Sequence, residues 1–87
     1  MKKNFNKKLF PISYVAKHLG LTDKKTGNIS THTLRFWETK FTSIRPIKLS
    51  GNRRYYDFKQ IEKIKLIKFL LKDKGMTIKG VQQILKR

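Results

Sequence analysis

The sequence predicts a mainly α-helical domain with a small β-hairpin: about four helices and one two-stranded ribbon. Three observations carry this. Apolar residues recur at helical spacing within residues 31–41, 58–74 and 77–85. Residues suited to helix capping, Ser13, Ser30, Asp57 and Thr77, stand just ahead of helical stretches. Between two short extended runs lies Ser50-Gly51-Asn52, a turn with glycine at its centre. At 87 residues the chain has room for one thin core and no second one.

Residues 1–10, MKKNFNKKLF, read as a basic, flexible arm, either a solvated tail or a segment that tracks a phosphate backbone; residues 11–87 form the folded domain. Ser13 is expected to cap a helix of about two turns that buries Val15, Ala16 and Leu19 and stops at Gly20. So short a helix must dock on something to persist. His18 has no second histidine or carboxylate at ligand spacing and reads as a surface residue. Residues 21–29, LTDKKTGNI, form a long polar loop with turn signals at Asp23 and Gly27-Asn28.

Ser30 is expected to cap the next helix, residues 31–41, with Leu34, Trp37 and Phe41 as its core stripe. Trp37 is read as core, and Phe36, at the edge of the stripe, suits either a core or a surface role. The remaining faces carry Thr31, His32, Arg35 and Thr39, beside an N-terminus whose free N–H groups suit phosphate. Residues 44–49 are extended, with Pro46 confining them to an edge or ribbon. Residues 53–56 pair back across the turn, placing Arg53 and Tyr55 on one face and Arg54 and Tyr56 on the other.

Asp57 to Gln60 is a capping-box pattern that opens the longest helix, residues 58–74, with Ile61, Ile64, Ile67, Leu70 and Leu71 inward. Leu66 and Phe69 are off that face; they are expected to wrap onto the core against the preceding helix, the alternative being that they mark a second contact. Gly75 ends the helix, and Thr77 caps a last one with a stripe of Ile78, Val81, Ile84 and Leu85.

The formal net charge of +17 favours a polyanion as partner. Lysine bias, of the kind an AT-rich genome produces, accounts for part of it. Arginine is more selective: Arg35, Arg45, Arg53 and Arg54 all fall between residues 35 and 54. Its planar fork makes bidentate contacts to phosphate or guanine that lysine cannot.

The chain has no cysteine, which excludes disulfides, thiolate metal sites and cysteine nucleophiles. No apolar run approaches the ~18 residues of a membrane span, and the basic N-terminus lacks the apolar stretch of a secretory signal. The carboxylates Glu38, Asp57, Glu62 and Asp73 have local helical explanations, and Asp23 sits in a turn. No catalytic triad, phosphate-cradling glycine loop or metal-spaced cluster is evident, so neither an enzyme nor a cofactor is expected. A cytoplasmic protein without membrane contact is.

A short helix, a capped second helix and an arginine-bearing ribbon together make a winged helix-turn-helix. The segments ISYVAKHLG, TLRFWE (33–38), SGNRRYY (50–56) and KDKGMTIKGVQQIL (72–85) resemble, in order, those of MerR-type transcription regulators. TLRFWETKF, GNRRYY and GMTIKGVQQIL look especially like an alphaproteobacterial subgroup. The resemblance implies a DNA-binding head, with the segment 30–36 in the major groove and the wing on the backbone. The expected contact residues are Ser30, Thr31, His32, Arg35, Phe36, Arg53, Arg54 and Tyr55. The last two helices would form a second wing-like unit. The implied partner is double-stranded DNA, usually an inverted-repeat promoter site bound by a homodimer that distorts an overlong spacer, with RNA polymerase at the promoter.

Three departures from the family pattern are visible. The loop at 21–29 is about eight residues longer than the family's tight turn. Phe36 replaces a common tyrosine. The sequence stops where members continue into a dimerising helix, so a fragment or a stand-alone module is expected. An architectural, excisionase-like or packaging protein and a sequence-neutral nucleic-acid binder are the alternatives the same features allow.

Overall fold

The structure is a computed structural model that describes residues 8–86. The elements run β1 (Phe10–Pro11), α1 (Ile12–His18), α2 (His32–Lys40), β2 (Ile47–Leu49), β3 (Arg53–Tyr56), α3 (Phe58–Lys68) and α4 (Ile78–Leu85). The four α-helices and the hairpin match the expected winged helix-turn-helix. The sheet has one strand more, in the antiparallel order β1-β3-β2.

The basic arm expected over residues 1–10 lies mostly outside the described residues, and Phe10 is already part of the sheet, opposite Tyr56. A two-residue strand has no periodicity of its own, so only its distant partner reveals it. Pro11, which lacks an N–H, occupies the outer strand, where such a residue is tolerated. This third strand gives the ribbon a partner that a lone hairpin needs.

Helix α1 begins at Ile12 with Pro11, not Ser13, at the N-cap. Proline's fixed φ and missing N–H suit the start of a helix. Gly20, at φ +70°, ends it, and the Leu21 N–H reaches back to the Ala16 carbonyl at 2.9 Å.

Residues 21–29 are more ordered than a loop reading implies. Thr22 bridges Ile29, the Asp23 N–H donates to the Asn28 carbonyl at 2.8 Å, and Asp23 Oδ1 accepts from the Lys25 N–H at 2.7 Å. The Ser30 N–H closes this small ladder on the Leu21 carbonyl at 2.9 Å. Ser30 is therefore not the helix cap; Thr31 holds that position, and α2 starts at His32.

The stripe expected for the second helix is found: Leu34, Trp37 and Phe41 are buried. Asp57 caps α3, its Oδ1 accepting from the Gln60 N–H at 2.8 Å. The Gln60 side chain does not turn back into a capping box. It accepts from the Arg45 N–H at 2.7 Å and donates to the Ser43 carbonyl at 3.2 Å, tying the entry to β2 onto α3.

Ile61, Ile64 and Ile67 of α3 are buried, and the helix then widens into a π turn, Phe69–Asp73. Leu66 and Phe69 do not wrap onto the core; they are about half exposed. Each helical residue turns the side chain by ~100°, so these two leave the buried Ile67 side and stay partly exposed, Phe69 beside His18 and Leu19 at the end of α1.

Thr77 caps α4, accepting from the Gly80 N–H at 3.0 Å. Val81 is fully buried, but Ile84, expected in the same stripe, is 42% exposed. The Gln82 side chain donates to the Lys40 carbonyl at 2.6 Å, fastening α4 to the end of α2. The core thus sits under the sheet, among Val15, Leu34, Trp37, Tyr56, Ile64 and Val81.

Candidate nucleic-acid interface

Three segments far apart in sequence meet at one cleft of about 340 Å³. Pro11, Ile12 and Ser13 bring the start of α1; Thr31 and Arg35 bring the start of α2; Asn52, Arg53, Arg54 and Tyr55 bring the wing. Each is placed by a local cause. Gly20 and the ladder at 22–29 set α2 against α1. Thr31 caps α2 without a side-chain bond, so the first-turn N–H groups lack helical partners and the positive end of the dipole is open. The wing reverses at Ser50–Asn52, where Gly51 (φ +76°) and Asn52 (φ +59°) take the left-handed conformation that glycine and asparagine tolerate best.

Strand register sorts the wing's side chains. Ile47 stands opposite Tyr55, Lys48 opposite Arg54, and Leu49 opposite Arg53. Tyr56 is fully buried on the inner face. Arg54, on that same face, binds Glu38 of α2, Nε to Oε1 at 2.7 Å, with the two side chains only 21% and 20% exposed. Arg35 and Arg53 are exposed and have no carboxylate partner among the described residues. Arg45, the fourth arginine of the cluster, is exposed and lies outside the cleft, its Nε donating to the Thr42 carbonyl at 3.1 Å.

Burial beneath the site also shows in Tyr56. Its phenol is pushed up to about 12, first by burial and then by the Glu38 carboxylate, against an opposing pull from Arg54 and Arg35. The Tyr56 hydroxyl has no hydrogen-bond partner among the described residues.

Of the eight residues singled out from sequence, Thr31, Arg35, Arg53, Arg54 and Tyr55 line the cleft. Ser30, His32 and Phe36 do not. Ser30 is part-buried at the foot of the ladder, His32 is exposed as the first residue of α2, and Phe36 is half exposed with Lys40 Nζ 5.5 Å from its ring centre. Sequence reasoning missed Asn52, took Ser13 for a cap, and gave Glu38 a local helical role. The signal for Glu38 was available: a carboxylate within an otherwise cationic segment.

The cleft can hold a negatively charged, extended surface between a helix N-terminus and a cationic ribbon. Arginine forks can grip phosphate or base edges there.

Comparison with known proteins agrees in kind. Residues 10–87 match the MerR HTH family of regulatory proteins. The HTH-type transcriptional regulator GlnR of Bacillus anthracis is 34% identical over 77 residues, covering 88% of this chain and 52% of that protein. The GlnR of Bacillus cereus gives the same figures, 34% over 77 residues. The chain thus spans about half the length of the curated relatives it matches. No solved structure matches it.

Proposed function

This chain belongs to the MerR family of helix-turn-helix regulatory proteins, and on that footing we propose that it binds double-stranded DNA sequence-specifically and regulates transcription in the cytoplasm. The observation that carries the proposal is the convergence of Thr31, Arg35, Arg53 and Tyr55 on one cleft in a chain of net charge +17. In this reading the start of α2 enters the major groove. Thr31, His32 and Arg35 face base edges, and Ser30 and Phe36 flank them. Arg53 and Tyr55 of the wing hold the sugar–phosphate backbone and set the register of the helix on the duplex. That the similar GlnR proteins are HTH-type transcriptional regulators supports regulation as the outcome of binding.

Selection of bound duplexes from a random DNA pool at physiological salt tests the reading. An enriched consensus is expected, and a palindrome would place two copies of the chain on one site. Failure of any sequence to enrich would defeat specific recognition. The charge of +17 favours one rival, a sequence-neutral binder. That rival requires a steep salt dependence on every duplex and a specific-to-random affinity ratio well below ~10³.

A further inference from the structure

Glu38 is one of only five carboxylates in the chain, and it stands three residues after Arg35 on the helix proposed to face DNA. There its charge opposes phosphate. What it supplies in exchange is the contact with Arg54, Nε to Oε1 at 2.7 Å. Both side chains are about four-fifths buried, so salt and water screen the pair less than a surface ion pair. The pair joins α2 to the central strand of the sheet, just before the fully buried Tyr56 and directly opposite Lys48 of the wing's other strand. A two-stranded ribbon is only marginally fixed by its own hydrogen bonds, and β1 pairs only the C-terminal end of β3, at Tyr55 and Tyr56. Nearer the tip, the Arg54–Glu38 contact ties the wing to α2.

We infer that Glu38 is a positioning residue of the proposed DNA site: through Arg54 it fixes the wing relative to α2, so that both elements meet one duplex in a set register. Arg54 then serves as the anchor of the wing rather than as a phosphate grip. The inference rests on the DNA-binding reading above and deepens it. It also reverses the sign of a simple charge argument. Net charge alone makes Glu38→Gln, which removes a negative charge, a tighter binder of every duplex. Positioning makes it a poorer discriminator.

The test compares the parent chain, Glu38→Gln, Arg54→Gln, the double variant and Arg54→Lys on a duplex selected from the random pool and on a scrambled duplex of equal length. Melting curves identify any variant that fails to fold. Expected for Glu38→Gln is a loss of about tenfold in the selected-to-scrambled ratio, with scrambled binding unchanged or tighter. Arg54→Gln should lose a similar factor in that ratio, and the double variant no more than either single one. Arg54→Lys, which keeps the charge and the pair, should retain most of the discrimination. Equal tightening on both duplexes by Glu38→Gln, or additive losses in the double variant, would overturn the positioning role. If only one single variant folds, the change in its ratio decides the matter alone. A parent chain that does not discriminate would instead defeat the DNA reading itself.

Discussion

Replacing Tyr56 by phenylalanine should stabilise the fold. The ring is fully buried, and its hydroxyl has no hydrogen-bond partner among the described residues. A buried, unpaired hydroxyl costs roughly 1–3 kcal/mol relative to its hydrated state. Removing it leaves the ring's packing in place, so a gain of about 1 kcal/mol is expected, or a rise of about 4–8 °C in Tm for a domain of this size. The pH dependence gives an independent check. The phenol ionises near 10 in the unfolded chain and is pushed to about 12 in the fold. Between these values the unfolded state binds fewer protons, so stability falls as pH rises. The contribution is complete below pH 10 and lost as pH passes through 12. The advantage of Tyr56→Phe over the parent should therefore widen by on the order of 2 kcal/mol across that interval. Lysine deprotonation affects both proteins alike and cancels. Thermal melts followed by circular dichroism at pH 7, 10 and 12 would read both effects. A Tyr56→Phe variant that melts lower than the parent at pH 7 would refute the reasoning, because the hydroxyl would then be satisfied in the fold.

Three further expectations follow from the packing and the site. Arg35→Ala should cost ~1–3 kcal/mol on a selected duplex and relax the preference at one position, whereas equal weakening on all sequences would reduce Arg35 to a phosphate contact. Thr77→Ala removes the side-chain cap on the Gly80 N–H and should lower stability by ~1 kcal/mol in denaturant titrations, with the greatest loss of amide protection in α4. Neighbouring residues on α3 should behave very differently: Ile67→Ala, at a fully buried position, should cost ~2–5 kcal/mol. Leu66→Ala, half exposed, should stay below ~1 kcal/mol, and a similar cost for both would mean that the Leu66 side of α3 is packed.

What could be read from the sequence was local. The stripe Leu34–Trp37–Phe41 and the caps at Asp57 and Thr77 depend on residues within two turns of one another, and all were legible. So was the wing, because Gly51 and Asn52 mark their turn by backbone preference alone. Strand β1 was hidden because its pairing with β3 spans more than forty residues. Ser30 looked like a cap by type, but its N–H is taken by the ladder across 22–29, a competing local structure with its own closure. Leu66 and Phe69 show the limit of composition: an apolar residue one or two steps off the core face is buried only if a neighbouring element covers it. At the site, the clustering of four arginines between residues 35 and 54 pointed to the cleft. The division of labour among them depends on Glu38 and Thr42, contacts that register and tertiary packing determine.

The most direct measurement is a titration of ¹⁵N-labelled chain with a selected duplex, followed by amide chemical shifts. If the cleft meets DNA, the largest changes should fall at Ser13, Thr31 to Arg35 and Asn52 to Tyr55, with Leu66, Phe69 and Ile84 almost unmoved. Changes centred on Leu66 and Phe69, with the wing and the start of α2 silent, would contradict the assignment of the DNA surface.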